Sequence, residues 1–172
     1  MRRIAISFIL ISIVLMLNAC SPMGGRMIMF NDDDQKADAR MEEIISAIKE
    51  RDRKALRSLF SQKALGEVEN FDDDMDFLFD FVKGNIISWE RDDGISSDET
   101  ISYGKRSLMI RSLYEVITNT EEYYFFVVDY NVDTINPDNA GVYMLEVMTS
   151  EGNDNLDSWQ ERLYAGIHQP KK

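Results

Sequence analysis

The sequence contains few of the residues from which many common sites are built. Its 172 residues include one cysteine, one histidine and three prolines. A single cysteine excludes an intramolecular disulfide, and a single histidine excludes a metal site with several histidine ligands. Cationic residues are also scarce, because 19 Lys and Arg stand against 31 Asp and Glu, for a net charge of -12. This excess of acid argues against nucleic-acid binding and suits a basic partner.

The N-terminal segment has the layout of a secretory signal peptide. Arg2 and Arg3 precede an apolar run over residues 4–17, and the small residue Ala19 precedes the sole cysteine, Cys20. The apolar run is shorter than the roughly 20 residues that a membrane-spanning helix needs. We therefore expect residues 1–19 to be a cleaved leader.

The residues at 17–20, Leu-Asn-Ala-Cys, resemble a bacterial lipobox. The resemblance implies that the Cys20 thiol is acylated, with palmitate among the chains, and that lipoprotein signal peptidase then cuts before it. Two acyl chains hold a protein stably at a bilayer. We therefore expect an extracytoplasmic protein that is lipid-anchored to the cell membrane, with a lipidated tether over 20–32 and a single domain over 33–170.

Helical patterns fill the first half of the expected domain. Apolar spacing predicts an amphipathic helix over about 32–51, whose first turn would contain the acidic residues 32–34. Asp52 and Ser61 are suited to cap two short helices, and a longer helix is predicted over 71–82. The segment that precedes these helices, residues 21–31, is expected to be flexible.

Strand patterns follow residue 84, and residues 95–103 form a polar connection between the first two. The predicted fold class is α+β, with N-terminal helices packed on a curved antiparallel sheet of four to five strands. The strand over 123–133 is apolar on both faces, so we expect its outer face to be covered by a second copy, a partner protein or residues 27–30. The predicted strands are 85–92, 105–118, 123–133, 141–149 and 157–169.

Five short motifs carry a resemblance to a known family. They are FLFDF at 77–81, ISWE at 87–90, YGK at 103–105, YML at 143–145 and AGI at 165–167. Together they resemble an uncharacterised family of Gram-positive lipoproteins known as domain of unknown function 5104. The order of elements resembles the cone-shaped nuclear transport factor two-like fold, also called SnoaL-like or cystatin-like. The resemblance implies a fold and a location, and it supplies no catalytic residues.

Candidates for catalysis or metal binding are few. His168 is the only histidine available to a catalytic triad, and its position at the end of a strand favours a surface role. The acidic residues in 72–80 lack the glycine and glutamate of a calcium-binding EF-hand loop, and a helix N-terminus favours such acids. We therefore expect no catalytic triad, no metal site and no cofactor.

Strand aromatics suggest a second kind of site. Cone-shaped folds of this kind often bind small apolar ligands inside the cup, and ketosteroid-isomerase-like members place an acid and a tyrosine there. Comparable acids and tyrosines here are Asp129, Glu146, Tyr114 and Tyr143. Core packing is the competing interpretation of these side chains. The ligand-cup candidates are Trp89, Tyr114, Asp129, Tyr143 and Trp159.

The function expected from these features is a non-catalytic binding module at the membrane surface. It could take the form of an immunity-type or accessory protein that meets a basic partner outside the cell. The alternative is a small-ligand cup with isomerase-like or hydratase-like activity. The expected partners are membrane lipid through acylated Cys20, a basic protein, and a second copy of the chain over the outer sheet face.

The Cys20→Ala variant tests the predicted anchor. The substitution removes the only thiol that could be acylated, so we predict loss of lipid labelling with no effect on the fold. Metabolic labelling with palmitate measures the first effect, and circular dichroism of the purified protein measures the second. Lipid labelling that survives the substitution would contradict the prediction.

Overall fold

The structure, a computed structural model, describes residues 24–92, 94–150 and 164–167, with side chains over 32–92, 94–150 and 165–167. The chain divides into two compact units, residues 1–32 and residues 33–172. In the described part of the second unit, helices come first and strands follow.

The predicted short helices begin at their predicted caps. Asp52 Oδ1 accepts hydrogen bonds from the backbone N–H groups of Lys54 and Ala55 at 2.9 and 3.0 Å. Ser61 Oγ accepts one from the backbone N–H of Ala64 at 3.1 Å. Each cap side chain accepts a hydrogen bond from a backbone N–H group of the first turn, which has no partner within the helix. The helices are α1 (Gly24–Glu50), α2 (Arg53–Leu59), α3 (Gln62–Glu67) and α4 (Phe71–Phe81).

Helix α1 begins earlier than predicted. It starts at Gly24, so residues 24–31 are helical where a flexible segment is expected, and the first turn contains no acid. No proline interrupts residues 23–50, and a helix that has already formed extends at little cost. The assignment of residues 32–34 to a helix start is therefore wrong. Asp33 instead forms an ion pair with Lys36 of the same helix at 3.0 Å.

The strands form one open antiparallel sheet in the order β1-β3-β4-β5-β6. β1 pairs with the C-terminal half of β3, and β2 pairs with its N-terminal half. The α+β class is confirmed, and the described residues contain six strands where four to five are predicted. The strands are β1 (Ile86–Arg91), β2 (Ser96–Ser102), β3 (Lys105–Thr118), β4 (Glu122–Asp133), β5 (Gly141–Thr149) and β6 (Tyr164–Ile167), with a 3-10 helix at Pro137–Asn139.

The additional strand is β2, so the interpretation of residues 95–103 as a connection is wrong. Nearly all of β2 is exposed, and a strand without a buried face shows no alternation of apolar and polar residues. Its acids pair across to β3 instead. Arg111 Nη1 donates to Asp98 Oδ2, and Arg106 Nε donates to Glu99 Oε1, each at 2.6 Å.

The last predicted strand is only partly described. Residues 164–167 form β6 against β5, and the rest of the predicted range over 157–169 lies outside the described residues. Two sequence candidates, Trp159 and His168, also lie outside them.

The main core lies between the four helices and the inner face of the sheet. The outer side chains of β4 belong to neither core cluster. Phe126 pairs with Leu113 of β3, and Val128 pairs with Met144 of β5. Val128 is only 7% exposed and Phe126 is half-buried, so this strand has little freely exposed apolar surface. The largest fully buried side chains of the inner face are Tyr114, Tyr123 and Phe125.

Gly141 lies where β5 passes against the α2–α3 connection. Its φ is +117°, and an added Cβ would lie 2.8 Å from Leu59 O and 3.0 Å from Ser61 N. Ser61 N also donates to Val142 O at 2.9 Å. Both the backbone conformation and the close approach therefore require glycine at this position.

We predict that Gly141→Ala lowers the free energy of unfolding by about 1–3 kcal/mol, through backbone strain and loss of this contact. Gly66→Ala is the matched control, because a Cβ at Gly66 in α3 meets no atom within 4 Å. The control should raise the free energy of unfolding by about 0.5–1 kcal/mol, because alanine has a higher helix propensity than glycine. Denaturant unfolding measures both, and equal effects would contradict the prediction.

Candidate binding site

Polar contacts as well as apolar ones join α1 to the inner face of the sheet. Tyr114 Oη donates to Asp38 Oδ1 at 3.0 Å. Arg91 Nη1 lies 3.3 Å from that same oxygen and 3.2 Å from Asp34 Oδ1. Tyr114 is fully buried, and burial raises the pKa of its phenol. The hydroxyl therefore remains a hydrogen-bond donor to α1 across the physiological pH range.

A second polar contact buries an acid beneath α1. The side chain of Asp129 is 4% exposed, and its Oδ1 accepts a hydrogen bond from Arg40 Nε at 3.1 Å. Asp129 Oδ2 has no hydrogen-bond partner among the described residues. Burial raises the pKa of the carboxyl, and Arg40 opposes that shift. The second nitrogen of the same guanidinium, Arg40 Nη1, donates to Glu43 Oε2 at 2.7 Å.

These polar contacts lie between two apolar clusters. On α1, Ala37 belongs to the smaller cluster and Met41 to the main core, and Asp38 and Arg40 lie between them in the chain. The smaller cluster also contains Leu108 and Ile110 of β3. A charged layer therefore crosses the interface of α1 with the sheet.

The structure brings two of the ligand-cup candidates together. The rings of Trp89 and Tyr114 meet edge to face, with centroids 5.6 Å apart. Tyr143 is separate from them, because its hydroxyl donates to Glu67 Oε2 on α3 at 3.0 Å. Glu146, the other candidate acid, pairs with Phe126 on the outer face.

The two buried candidates face side chains of α1. Asp38 accepts the hydrogen bond of Tyr114, and Arg40 donates to Asp129. A ligand that used both groups would have to displace α1 from the sheet. Asp129 and Tyr114 therefore hold α1 against the sheet in this structure.

Arginines that precede or lie in α2 neutralise the acidic face of α4. Hydrogen bonding to Arg51 lowers the pKa of the Asp80 carboxyl. Among the residues that the structure describes, no group of three or more His, Cys, Asp or Glu could hold a metal ion. The ion pairs are Arg51–Asp80, Arg53–Asp76, Arg53–Asp72 and Arg57–Asp72.

An acidic groove of about 530 Å³ lies between α1 and α2. Its floor is small and apolar, and includes Ala47 and Ala55. Four carboxylates line it, and none of its lining residues, all within the described chain, is Lys or Arg. The lining residues are Ala39, Glu42, Glu43, Ser46, Ala47, Glu50, Asp52, Ala55, Ser58 and Leu59.

The four carboxylates of this groove differ in what they already bind. Glu43 accepts a hydrogen bond from Arg40, and Asp52 caps α2. Glu42 and Glu50 are exposed and lie about two turns apart on α1. The sequence predicted Asp52 as a helix cap and assigned no individual role to Glu42, Glu43 or Glu50. The signal present in the sequence is the row of small residues at Ala39, Ser46 and Ala47 on one face of α1.

These features define an α+β domain with an open antiparallel sheet and an acidic groove between its first two helices. Residues 43–150 match the family described as Domain of unknown function (DUF5104), and the chain belongs to that family. No curated protein matches the chain. The family description assigns no activity, so it adds no roles for individual residues.

No helix within the described ranges is both long enough and apolar enough to cross a membrane.

The buried carboxyl gives a testable pH dependence. The pKa of Asp129 in the folded state is raised above its ordinary value of 3.8. Its contribution to stability is therefore fully present below pH 3.8, and is lost as the pH rises through the folded-state pKa. We predict that the stability of the wild type minus that of Asp129→Asn falls as the pH rises from about 3 towards 7, by at most about 1.4 kcal/mol per pH unit.

Denaturant unfolding of both proteins over this range measures that difference. Taking the difference removes the pH dependence that the other carboxyls contribute equally to both proteins. A difference that rises with pH would show that Arg40 outweighs the burial cost, and would contradict the prediction.

Proposed function

We propose that this protein is a non-catalytic, membrane-anchored module that binds a basic segment of a partner protein in the groove between α1 and α2. The observation that carries the proposal is the groove itself, in which an apolar floor is bordered by four carboxylates. A groove of this type suits an amphipathic helix, with its apolar face on the floor and its Lys or Arg side chains on the rim.

The charges of the rim determine the chemistry of the partner. Glu42 and Glu50 are exposed carboxylates without a described ion pair, so a cationic side chain can reach them without breaking an existing contact. The net charge of -12 adds a long-range attraction that speeds the encounter with a basic protein. Both contributions weaken as the salt concentration rises.

The location is part of the same proposal. We infer that residues 1–19 are a signal peptide, that Cys20 is acylated and that the domain lies on the outer side of the cell membrane. The sequence layout around the single cysteine supports this inference. Residues 24–32 are helical, so a tether over 20–32 spans at most about 28 Å, and partners would have to lie close to the membrane.

We also propose that the fold is of the nuclear transport factor two-like class. Two observations support this: the helices precede the strands, and they pack on one face of an antiparallel sheet. Fold alone does not assign an activity, so the binding function rests on the groove.

Site-specific photo-crosslinking from Ser46, which lines the groove, tests the binding proposal in intact cells. We predict capture of a basic protein, with a yield that falls as salt rises. Glu42→Gln combined with Glu50→Gln should weaken binding roughly tenfold, because two charge contacts are lost. Asp73→Asn combined with Asp138→Asn is the control, since it removes the same charge from exposed sites outside the groove.

Three results would contradict the groove as the binding site. The first is no capture from Ser46 at low salt. The second is capture from Leu113 on the outer sheet face but not from Ser46. The third is an equal loss of binding in the groove variant and in the control variant, which would indicate a general charge effect.

A further inference from the structure

The β2–β3 hairpin ends in an exposed apolar tip. Tyr103 and Gly104 connect the strands, and both have positive φ, +48° and +76°. These angles define a two-residue turn of the type I′ class. Tyr103 is fully exposed, and the neighbouring Ile101 is 70% exposed. Ile101 and Tyr103 are called the hairpin tip below.

The conformation of Tyr103 costs free energy that its own contacts do not recover. A positive φ is unfavourable for a bulky residue, and asparagine or glycine would occupy the same position more easily. The fully exposed ring of Tyr103 gains nothing from burial in the domain. Strained residues cluster at functional sites, so the exposed Tyr103 is a candidate for a contact outside the domain.

The charge around the hairpin tip is opposite to that of the whole chain. Residues 100–107 contain no acid, and they include the exposed Lys105 together with Arg106. Arg106 is paired with Glu99, which leaves Lys105 as the cation nearest the turn. The protein as a whole carries a net charge of -12. The hairpin tip therefore suits an anionic surface better than the rest of the domain does.

The tip also lies at the end of the domain where the chain enters. Ala37, near the start of the second unit, packs in one cluster with Leu108 and Ile110 of β3. Leu108 is only four residues beyond Gly104, so the first turns of α1 in this unit and the hairpin occupy the same end of the sheet. The proposed anchor at Cys20 is therefore connected to the domain through this end of the chain.

We propose that the hairpin tip inserts into the lipid–water interface of the membrane that carries the anchor. Ile101 would enter the headgroup region, the Tyr103 ring would lie at the interface with its hydroxyl in water, and Lys105 would face anionic headgroups. The inference rests on the proposed acylation of Cys20, because the anchor supplies the high local concentration that so small a contact needs. Two side chains are too small for a stable protein interface, which buries about 800 Å² per partner.

A probe at the tip of the full-length protein tests this inference. An acylated Cys20 has no free thiol, so Ile101→Cys introduces the only site for a thiol-reactive, environment-sensitive fluorophore. The labelled protein is reconstituted in phosphatidylcholine vesicles containing phosphatidylglycerol and a lipid-borne quencher. Ile87→Cys is the matched control, because Ile87 is 65% exposed and lies in β1, which pairs with the other half of β3.

We expect quenching several-fold stronger at position 101 than at position 87, with a blue-shifted emission at position 101 only. Tyr103→Asn in the same labelled protein should reduce the quenching at position 101 while keeping or raising stability, because asparagine relaxes the turn. A loss of quenching in this variant therefore cannot come from unfolding, which denaturant titration checks.

The outcomes separate the two proposals. Equal quenching at positions 101 and 87, with acylation of Cys20 verified by mass spectrometry, would overturn the lipid contact and leave the anchor intact. Emission at position 101 that shifts without lipid quenching would indicate a protein contact, and would also overturn it. An unmodified Cys20 would overturn the anchor, and the lipid contact that depends on it.

Discussion

The position of α1 across the sheet is the constraint on which the other features depend. Apolar packing alone would allow a helix to slide over an apolar sheet face. The polar pairs beneath α1 can form in only one position of the helix on the sheet. Arg40 must meet Asp129, and Asp38 must meet Tyr114. A shift of one turn would leave a buried charge without its partner, which is strongly destabilising. One side of the groove is formed by α1, and the first turns of α1 in the second unit lie near the β2–β3 hairpin. The register of α1 on the sheet therefore determines the position of both.

A single guanidinium connects the buried acid to the groove. Arg40 donates to Asp129 through Nε and to Glu43 through Nη1, and Glu43 lines the groove. The Asp129 carboxyl is buried with one oxygen lacking a described partner, so it depends on Arg40 to offset its desolvation. Sharing Arg40 with Glu43 weakens that offset and is consistent with the raised pKa of Asp129. The charge of Glu43 in the groove is therefore coupled, through Arg40, to the contact that holds α1 on the sheet.

The parts of the fold that local chemistry specifies could be predicted, and the parts that tertiary packing specifies could not. The caps Asp52 and Ser61 were predictable because each makes its hydrogen bond within a few residues. β2 was not predictable, because its acids find arginines on a neighbouring strand and its faces are both exposed. The groove was missed for a similar reason. Its lining comes from two helices, and sequence spacing shows the face of only one at a time.

The orientation that follows from the proposed anchor resolves a conflict of charge. A protein with a net charge of -12 over its full sequence is repelled by an anionic membrane, yet a short tether would keep it there. From Asp33 to Glu50, α1 is about 25 Å long, which is several times the Debye length of roughly 8 Å at physiological ionic strength. If α1 runs away from the lipid in that orientation, salt would screen the repulsion of Glu50 and Asp52 from the membrane. Residues 100–107, which contain no acid, would then contact the surface, and the acidic groove would remain available to a basic partner.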